Sequence, residues 1–158
     1  MTEVLHKADH PGVRVPPPFI YIFIFLLSLG LQKIVPWSFV HSNELRIFGW
    51  VLTLTGVTIS MSAIIQFRRT GNNIVPIRSA TSLQTSGIYS WTRNPMYTGL
   101  LLAYIGLGNV FGSWWTFVLI PLLVLVIRFF VIRKEEDYLT RAFGDQYLQY
   151  KKNVRRWI

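Results

Sequence analysis

Uncharged apolar blocks of helical length run through this chain and leave it few folds to choose from. Pro17 to Leu31 carries no charge, and the run resumes beyond Gln32 and Lys33 as far as Val40. Leu45 to Phe67 holds one charge, Arg46, at its edge. Pro95 to Ile127 holds none; it is too long for one helix and is interrupted by Gly106, Gly108, Asn109, Gly112 and Ser113. A soluble helix would interleave polar residues at a 3.6-residue period, whereas these blocks have no polar face to offer water. A bilayer core takes about 20 helical residues, which predicts four spans at about 18–38, 45–67, 95–111 and 114–133. The first block lacks the small-residue cleavage pattern of a signal peptide and is closely followed by further spans. The expected class is an all-α integral membrane protein with about four transmembrane helices and a short cytoplasmic C-terminal helix, a single membrane domain over residues 1–158.

Charge sets the expected orientation. The chain has 16 Lys and Arg against 7 Asp and Glu. The arm before the first span carries Lys7 and Arg14, the first hairpin Lys33 and Arg46, and the middle loop Arg68, Arg69, Arg78 and Arg93. The turn near Gly112 has no cation, and the rest lie from Arg128 onward. With four spans, both termini and the middle loop share the strongly basic side, which the positive-inside rule makes cytoplasmic. The basic excess therefore reads as a membrane-orientation signal and not as a nucleic-acid surface, with Lys151, Lys152, Arg155 and Arg156 suited to anionic headgroups. Cysteine is absent, and His6, His10 and His41 all precede the second span. Thiolate chemistry, a Cys-based zinc site and a Ser-His-Asp triad are thereby excluded or hard to build, and no metal is expected.

Polar groups capable of chemistry gather in two places on the cytoplasmic side. The first closes the long middle loop: Gly87-Ile88-Tyr89-Ser90-Trp91-Thr92-Arg93-Asn94-Pro95-Met96-Tyr97-Thr98-Gly99. Asn94 suits a helix N-cap and Pro95 the first helical position. Free backbone N–H groups at that helix start, aided by Arg93, would face a polar ligand, and Tyr89, Trp91 and Tyr97 offer stacking surfaces. The second is Arg128 with Arg133-Lys134-Glu135-Glu136-Asp137 and Arg141, where three of the seven acids are consecutive. Asp137 and Arg141 form an ordinary i, i+4 helix pair, but an ionisable residue just inside an apolar span, such as Arg128, is a functional-site candidate. At the α-helical period Arg128 and Glu135 share one face, predicted to meet a zwitterionic ligand. Gly106-Leu107-Gly108 lies inside an apolar span with no strand before it, which favours helix packing over a dinucleotide fingerprint.

Thr85 to Trp91, then Arg93-Asn94-Pro95-Met96-Tyr97-Thr98-Gly99, followed after a helical hairpin by Glu135-Glu136, Phe143-Gly144, Tyr147, Tyr150 and Val154, resembles the isoprenylcysteine carboxyl methyltransferase family. Phospholipid N-methyltransferases share the arginine-x-proline and paired-glutamate elements. The resemblance covers about residues 70–158, and it divides the chain into an N-terminal arm with two spans, 1–67, and a methyltransferase-like core, 68–158. It implies a membrane enzyme that binds S-adenosyl-L-methionine in a cytoplasm-facing pocket and methylates a lipophilic acceptor from the bilayer. It places Thr81, Ser82, Leu83, Gln84, Tyr89, Asn94, Pro95, Met96 and Tyr97 around the cofactor, with Glu135 on its amino group and Glu136 beside it. Arg141, and Arg128 or Arg133, are placed towards the acceptor, so that Arg141, Glu136 and Arg128 are the candidate catalytic residues. Eukaryotic members usually carry His where this chain has Asn94, a side chain that hydrogen-bonds without titrating.

Methyl transfer from a sulfonium releases a neutral leaving group and needs no general acid, so scarce histidine and absent cysteine suit it. Two other readings use the same sequence: a non-catalytic membrane scaffold or transporter subunit, and a membrane NADPH-dependent reductase. A transporter predicts polar residues near mid-bilayer; here those are only Ser, Thr, Asn and Gln, with the charges at the span ends, and the reductases with a related architecture have many more spans.

Overall fold

The computed structural model describes residues 11–39, 42–69 and 82–157. Its ordered elements are helices: α1 (Pro17–Ile34), α2 (Asn43–Arg69), a 3-10 turn at Gly87–Ser90, α3 (Pro95–Phe111), α4 (Trp114–Val118), α5 (Ile120–Ile127), a π-helical turn at Arg128–Ile132, and α6 (Arg133–Asn153). Among the described residues, three helical stretches are long and apolar enough to cross a membrane, Pro17–Ile34, Asn43–Arg69 and the run Trp114–Asn153, and α3 is a shorter apolar helix of 17 residues.

Along α2 the packing is inverted relative to a helix of a water-soluble protein. The residues α2 buries are Gly49, Thr53, Gly56, Ser60 and Ala63, while Phe48, Trp50, Leu54 and Met61 point outward. That stripe of small residues recurs every three or four positions and meets Gly99, Ala103 and Gly106 of α3. In lipid there is no gain from hiding apolar side chains from water, so helices associate through close backbone approach, for which small residues are required. A Cβ built on Gly49 would lie 2.8 Å from the Gly106 carbonyl oxygen, and Gly108 backs onto Thr116. The predicted packing role of Gly106 and Gly108 is thus observed. Ser60 donates to the Met96 carbonyl (2.9 Å) and Tyr21 to that of Tyr97 (2.9 Å), which ties α2 and α1 to the first turn of α3.

Span boundaries follow local rules. α1 stops at Ile34, short of the expected 38, because Pro36 drives Val35 into an extended conformation (φ −128°, ψ 91°). The third span matches its expected bounds, and Gly112 ends it with φ +65°. The fourth is broken where Pro121, which has no N–H, opens α5. Beyond it, the π turn carries an Arg133 N–H to Arg128 C=O bond. A π turn holds more residues than an α turn, so side-chain phase slips between Arg128 and Glu135. The expectation of one shared face therefore fails: Arg128 is exposed and stacks on Phe129 (5.7 Å), while Glu135 turns inward.

At the end far from Glu135, Gln32 joins three elements. Its amide nitrogen donates to Ser38 Oγ (2.7 Å), and its oxygen accepts from Ser113 Oγ (2.9 Å) and from the Trp37 N–H (3.2 Å). Gln32→Leu leaves the buried Ser113 hydroxyl without its acceptor, whereas water can replace the partner of the exposed Ser38 and Trp37 groups, and should cost about 1–3 kcal/mol. The check is a lower unfolding temperature in detergent without change in ligand affinity at the opposite end.

Candidate functional site

A pocket lies at the opposite end, where α2, α3 and α6 converge. Its walls are Pro11, Phe67, Ser82 to Gln84, Tyr89, Arg93 to Tyr97, Glu135, Glu136, Tyr138, Leu139, Tyr147 and Tyr150, around about 920 Å³ of space, open mouth included. The wall builds up from local anchors. Gln66, near the end of α2, donates to the Ser86 carbonyl (2.7 Å) and accepts from the Ile88 N–H (3.3 Å), which pins the 3-10 turn. Gly87 (φ +58°) makes that turn, and a Cβ there would sit 2.5 Å from the Gln66 side chain. Tyr89, buried at its end, donates to the Ala63 carbonyl (3.3 Å), while its own carbonyl accepts from the Tyr150 hydroxyl (2.6 Å). Phe67 lies beside the Tyr89 ring at 6.3 Å.

Besides Glu136, two charged groups line this space, which is rich in aromatic rings. Glu135 accepts from the Tyr97 hydroxyl (2.6 Å), and no cation is paired with it among the described residues. A carboxylate in such a place is under-compensated, because burial removes water without supplying an opposite charge. Arg93 is the other: its side chain is 9% exposed, its Nη1 lies 3.1 Å from Glu136 Oε1, and both Nε and Nη1 lack a hydrogen-bond acceptor along their N–H directions. Among the described residues the site thus holds a carboxylate with no paired cation and a guanidinium with two unmatched donors beside several aromatic rings, complementary to a zwitterion bearing a flat ring.

Glu136 is differently engaged. Arg156 clamps it with Nε on Oε1 (3.0 Å) and Nη2 on Oε2 (2.6 Å), and this carboxylate raises the Arg156 guanidinium above its ordinary range. Arg156 was expected at the headgroups; nothing in its local sequence signalled a partner 20 residues back. Asn94 stands at the N-cap position, but its amide donates to the Arg156 carbonyl (2.9 Å) instead of capping α3. Of the helix-start N–H groups expected to be free, that of Tyr97 is taken by the Asn94 carbonyl (3.1 Å), which also accepts the first helical bond, from Thr98 (3.0 Å).

Of the expected cofactor residues, Ser82, Leu83, Gln84, Tyr89, Asn94, Pro95, Met96, Tyr97 and Glu135 all line the pocket. Thr81 lies outside the described residues. Glu136 is in the wall, whereas Arg128 and Arg141 are exposed and do not line it. Phe67, Tyr138 and Leu139 join the wall without having been singled out for it, since only α6 folding back on α2 and α3 brings them in.

Comparison with known proteins agrees with this geometry. The chain is 33% identical over 125 residues to a protein-S-isoprenylcysteine O-methyltransferase of Xenopus laevis, covering 70% of this chain and 39% of that one. It is 33% identical over 115 residues to protein-S-isoprenylcysteine O-methyltransferase B of Arabidopsis thaliana, covering 68% and 55%. An uncharacterized protein of Haemophilus influenzae is 40% identical over 63 residues, 40% of this chain and the whole of that one. The chain therefore spans about half, or less, of the length of these two named methyltransferases. No solved structure matches. The profile of phospholipid methyltransferases matches residues 45–146, which takes in α2, the pocket turn, α3 and the glutamate pair. With its lipid-facing helices and its membrane-methyltransferase relatives, the chain is an integral membrane protein that belongs to the phospholipid methyltransferase family.

Proposed function

We propose that this chain is an S-adenosyl-L-methionine-dependent membrane methyltransferase acting on a lipophilic acceptor, like an isoprenylcysteine carboxyl methyltransferase. The observation that carries it is the presence in one pocket of Glu135, a carboxylate with no paired cation among the described residues, and Arg93, a guanidinium with two unmatched donors. Glu135 takes the donor's ammonium, its carboxylate oriented by the Tyr97 hydroxyl. Arg93 takes the donor's carboxylate. Tyr89 and Phe67, with Ser82 to Gln84 closing the mouth, hold the nucleoside. When bound, S-adenosyl-L-methionine supplies an electrophilic methyl on a sulfonium. The chain needs no proton relay for that chemistry; its residues exclude water and fix the donor's direction, and orientation of this kind supplies about 7–11 kcal/mol in favourable cases.

The domain is one membrane unit whose core, 68–158, carries the donor site. Arg14, Arg68, Arg69, Arg93 and the cations from Arg128 onward gather at the pocket end, against Lys33 and Arg46 at the other, which supports a cytoplasmic pocket and cytoplasmic termini. Arg128 and Arg141 are exposed at that end outside the wall, a place from which they draw in an anionic acceptor instead of holding the reacting atoms. The names of the relatives favour a prenylated cysteine carboxylate, already a nucleophile at neutral pH.

S-adenosylhomocysteine should raise the unfolding temperature of detergent-purified protein in a concentration-dependent way, and NADPH should not. No shift at saturating S-adenosylhomocysteine removes the donor assignment, and a shift with NADPH alone supports a reductase. Radiolabelled methyl donor incubated with membrane extracts then identifies the acceptor.

A further inference from the structure

Beyond α6, the segment Val154–Trp157 turns back onto the start of α3. Arg93 N–H donates to the Arg155 carbonyl (2.9 Å), and Thr92 Oγ1 (3.1 Å) and Asn94 Nδ2 (2.9 Å) donate to the Arg156 carbonyl. The segment thereby places the Arg156 guanidinium on Glu136, whose side chain is 7% exposed. Two guanidinium groups then share one buried carboxylate, and they share it unequally. Arg156 takes both oxygens with aligned bonds of 3.0 and 2.6 Å, whereas Arg93 keeps a 3.1 Å ion contact and two donors without an acceptor. Buried charges are poorly screened, so a carboxylate released from Arg156 would turn fully to Arg93, fill its donors and cancel its charge.

We propose that Arg156 is a positioning residue of the donor site: by taking both oxygens of Glu136, it leaves the Arg93–Glu136–Arg156 cluster a net positive charge and leaves Arg93 Nε and Nη1 unmatched by an acceptor among the described residues, ready for the carboxylate end of the methyl donor. This rests on the function proposed above. The anion subsite is thus completed by a segment outside α3 and α6 that does not line the pocket.

The test is calorimetric titration of the full chain in detergent with S-adenosylhomocysteine and with 5′-methylthioadenosine, which carries the same nucleoside and no amino-acid end. Arg156→Gln, which cancels the local charge, should weaken S-adenosylhomocysteine about tenfold, the size of coupling usual within one charge network, and leave 5′-methylthioadenosine unchanged. Arg156→Lys, and the double variant Arg156→Gln with Glu136→Gln, both keep the net charge and should recover most of that loss. Equal weakening of both ligands by Arg156→Gln, or a double variant no better than the single one, overturns the proposal in favour of a purely structural tail. If Arg156→Gln does not fold, the double variant decides alone: retained 5′-methylthioadenosine binding with lost S-adenosylhomocysteine binding overturns the proposal, and retention of both supports it. A wild-type protein that binds no S-adenosylhomocysteine defeats the proposed function itself, an outcome distinct from these.

Discussion

Glu135→Ala is expected to remove most of the rise in unfolding temperature that saturating S-adenosylhomocysteine gives the wild-type protein, while Asp137→Ala keeps it. A ligand at a hundred times its dissociation constant stabilises the folded state by about 2.7 kcal/mol. Removing one partner of a buried, hydrogen-bonded charge pair costs about 2–5 kcal/mol of binding, which takes away about two thirds of the stabilisation at the lower figure and nearly all of it at the upper. The choice of Asp137 as control is specific. It is two residues away on α6, carries the same charge, and is exposed, so a general effect of deleting an acid near the basic end appears in both variants. Glu135 alone is joined to Tyr97 at 2.6 Å and lines the pocket. A ligand-induced shift retained by both variants would put the ammonium site elsewhere, and a shift lost in both would point to long-range charge.

The second large effect concerns folding. Gly56→Leu is expected to prevent assembly of the helix bundle, whereas Gly30→Leu is tolerated. A Cβ at Gly56 would lie 2.5 Å from the Ala103 backbone nitrogen and also strike the Gly99 carbonyl. Both obstacles are main chain, so no rotamer change relieves them, and the only escape is to part α2 from α3. Overpacking in a well-packed core costs about 1–3 kcal/mol and more when backbone must move. Here separation also breaks the Ser60 bond to Met96 and loosens the Tyr89 anchor on Ala63. At Gly30 nothing lies within 4 Å, and a larger side chain there meets lipid. Size-exclusion profiles and unfolding temperatures in detergent separate the two outcomes: a monodisperse Gly56→Leu protein with wild-type stability would mean that the small-residue stripe is not the packing surface.

Both expectations draw on features of very different legibility. The span of α3 could be read to the residue, because Pro95 and Gly112 are local punctuation that acts on the backbone itself. The break at Gly144 (φ +50°) in α6 was equally local. Nine of the expected donor residues reach one pocket because they follow one another along two short segments, 82–97 and the turn holding Glu135, whose order along the chain already constrains where they go.

Other features depend on contacts between residues far apart in sequence. The π turn rotated Arg128 away from Glu135, although seven residues at the α period would have aligned them. Glu136 was expected beside the donor's amino group and Arg156 at the headgroups, yet they bind one another across 20 residues. Hydropathy, charge bias and turn chemistry act over a few residues and are written where they operate. Phase, ion-pair choice and the closure of a pocket are settled by which helices lie side by side, and no short stretch of chain contains that information.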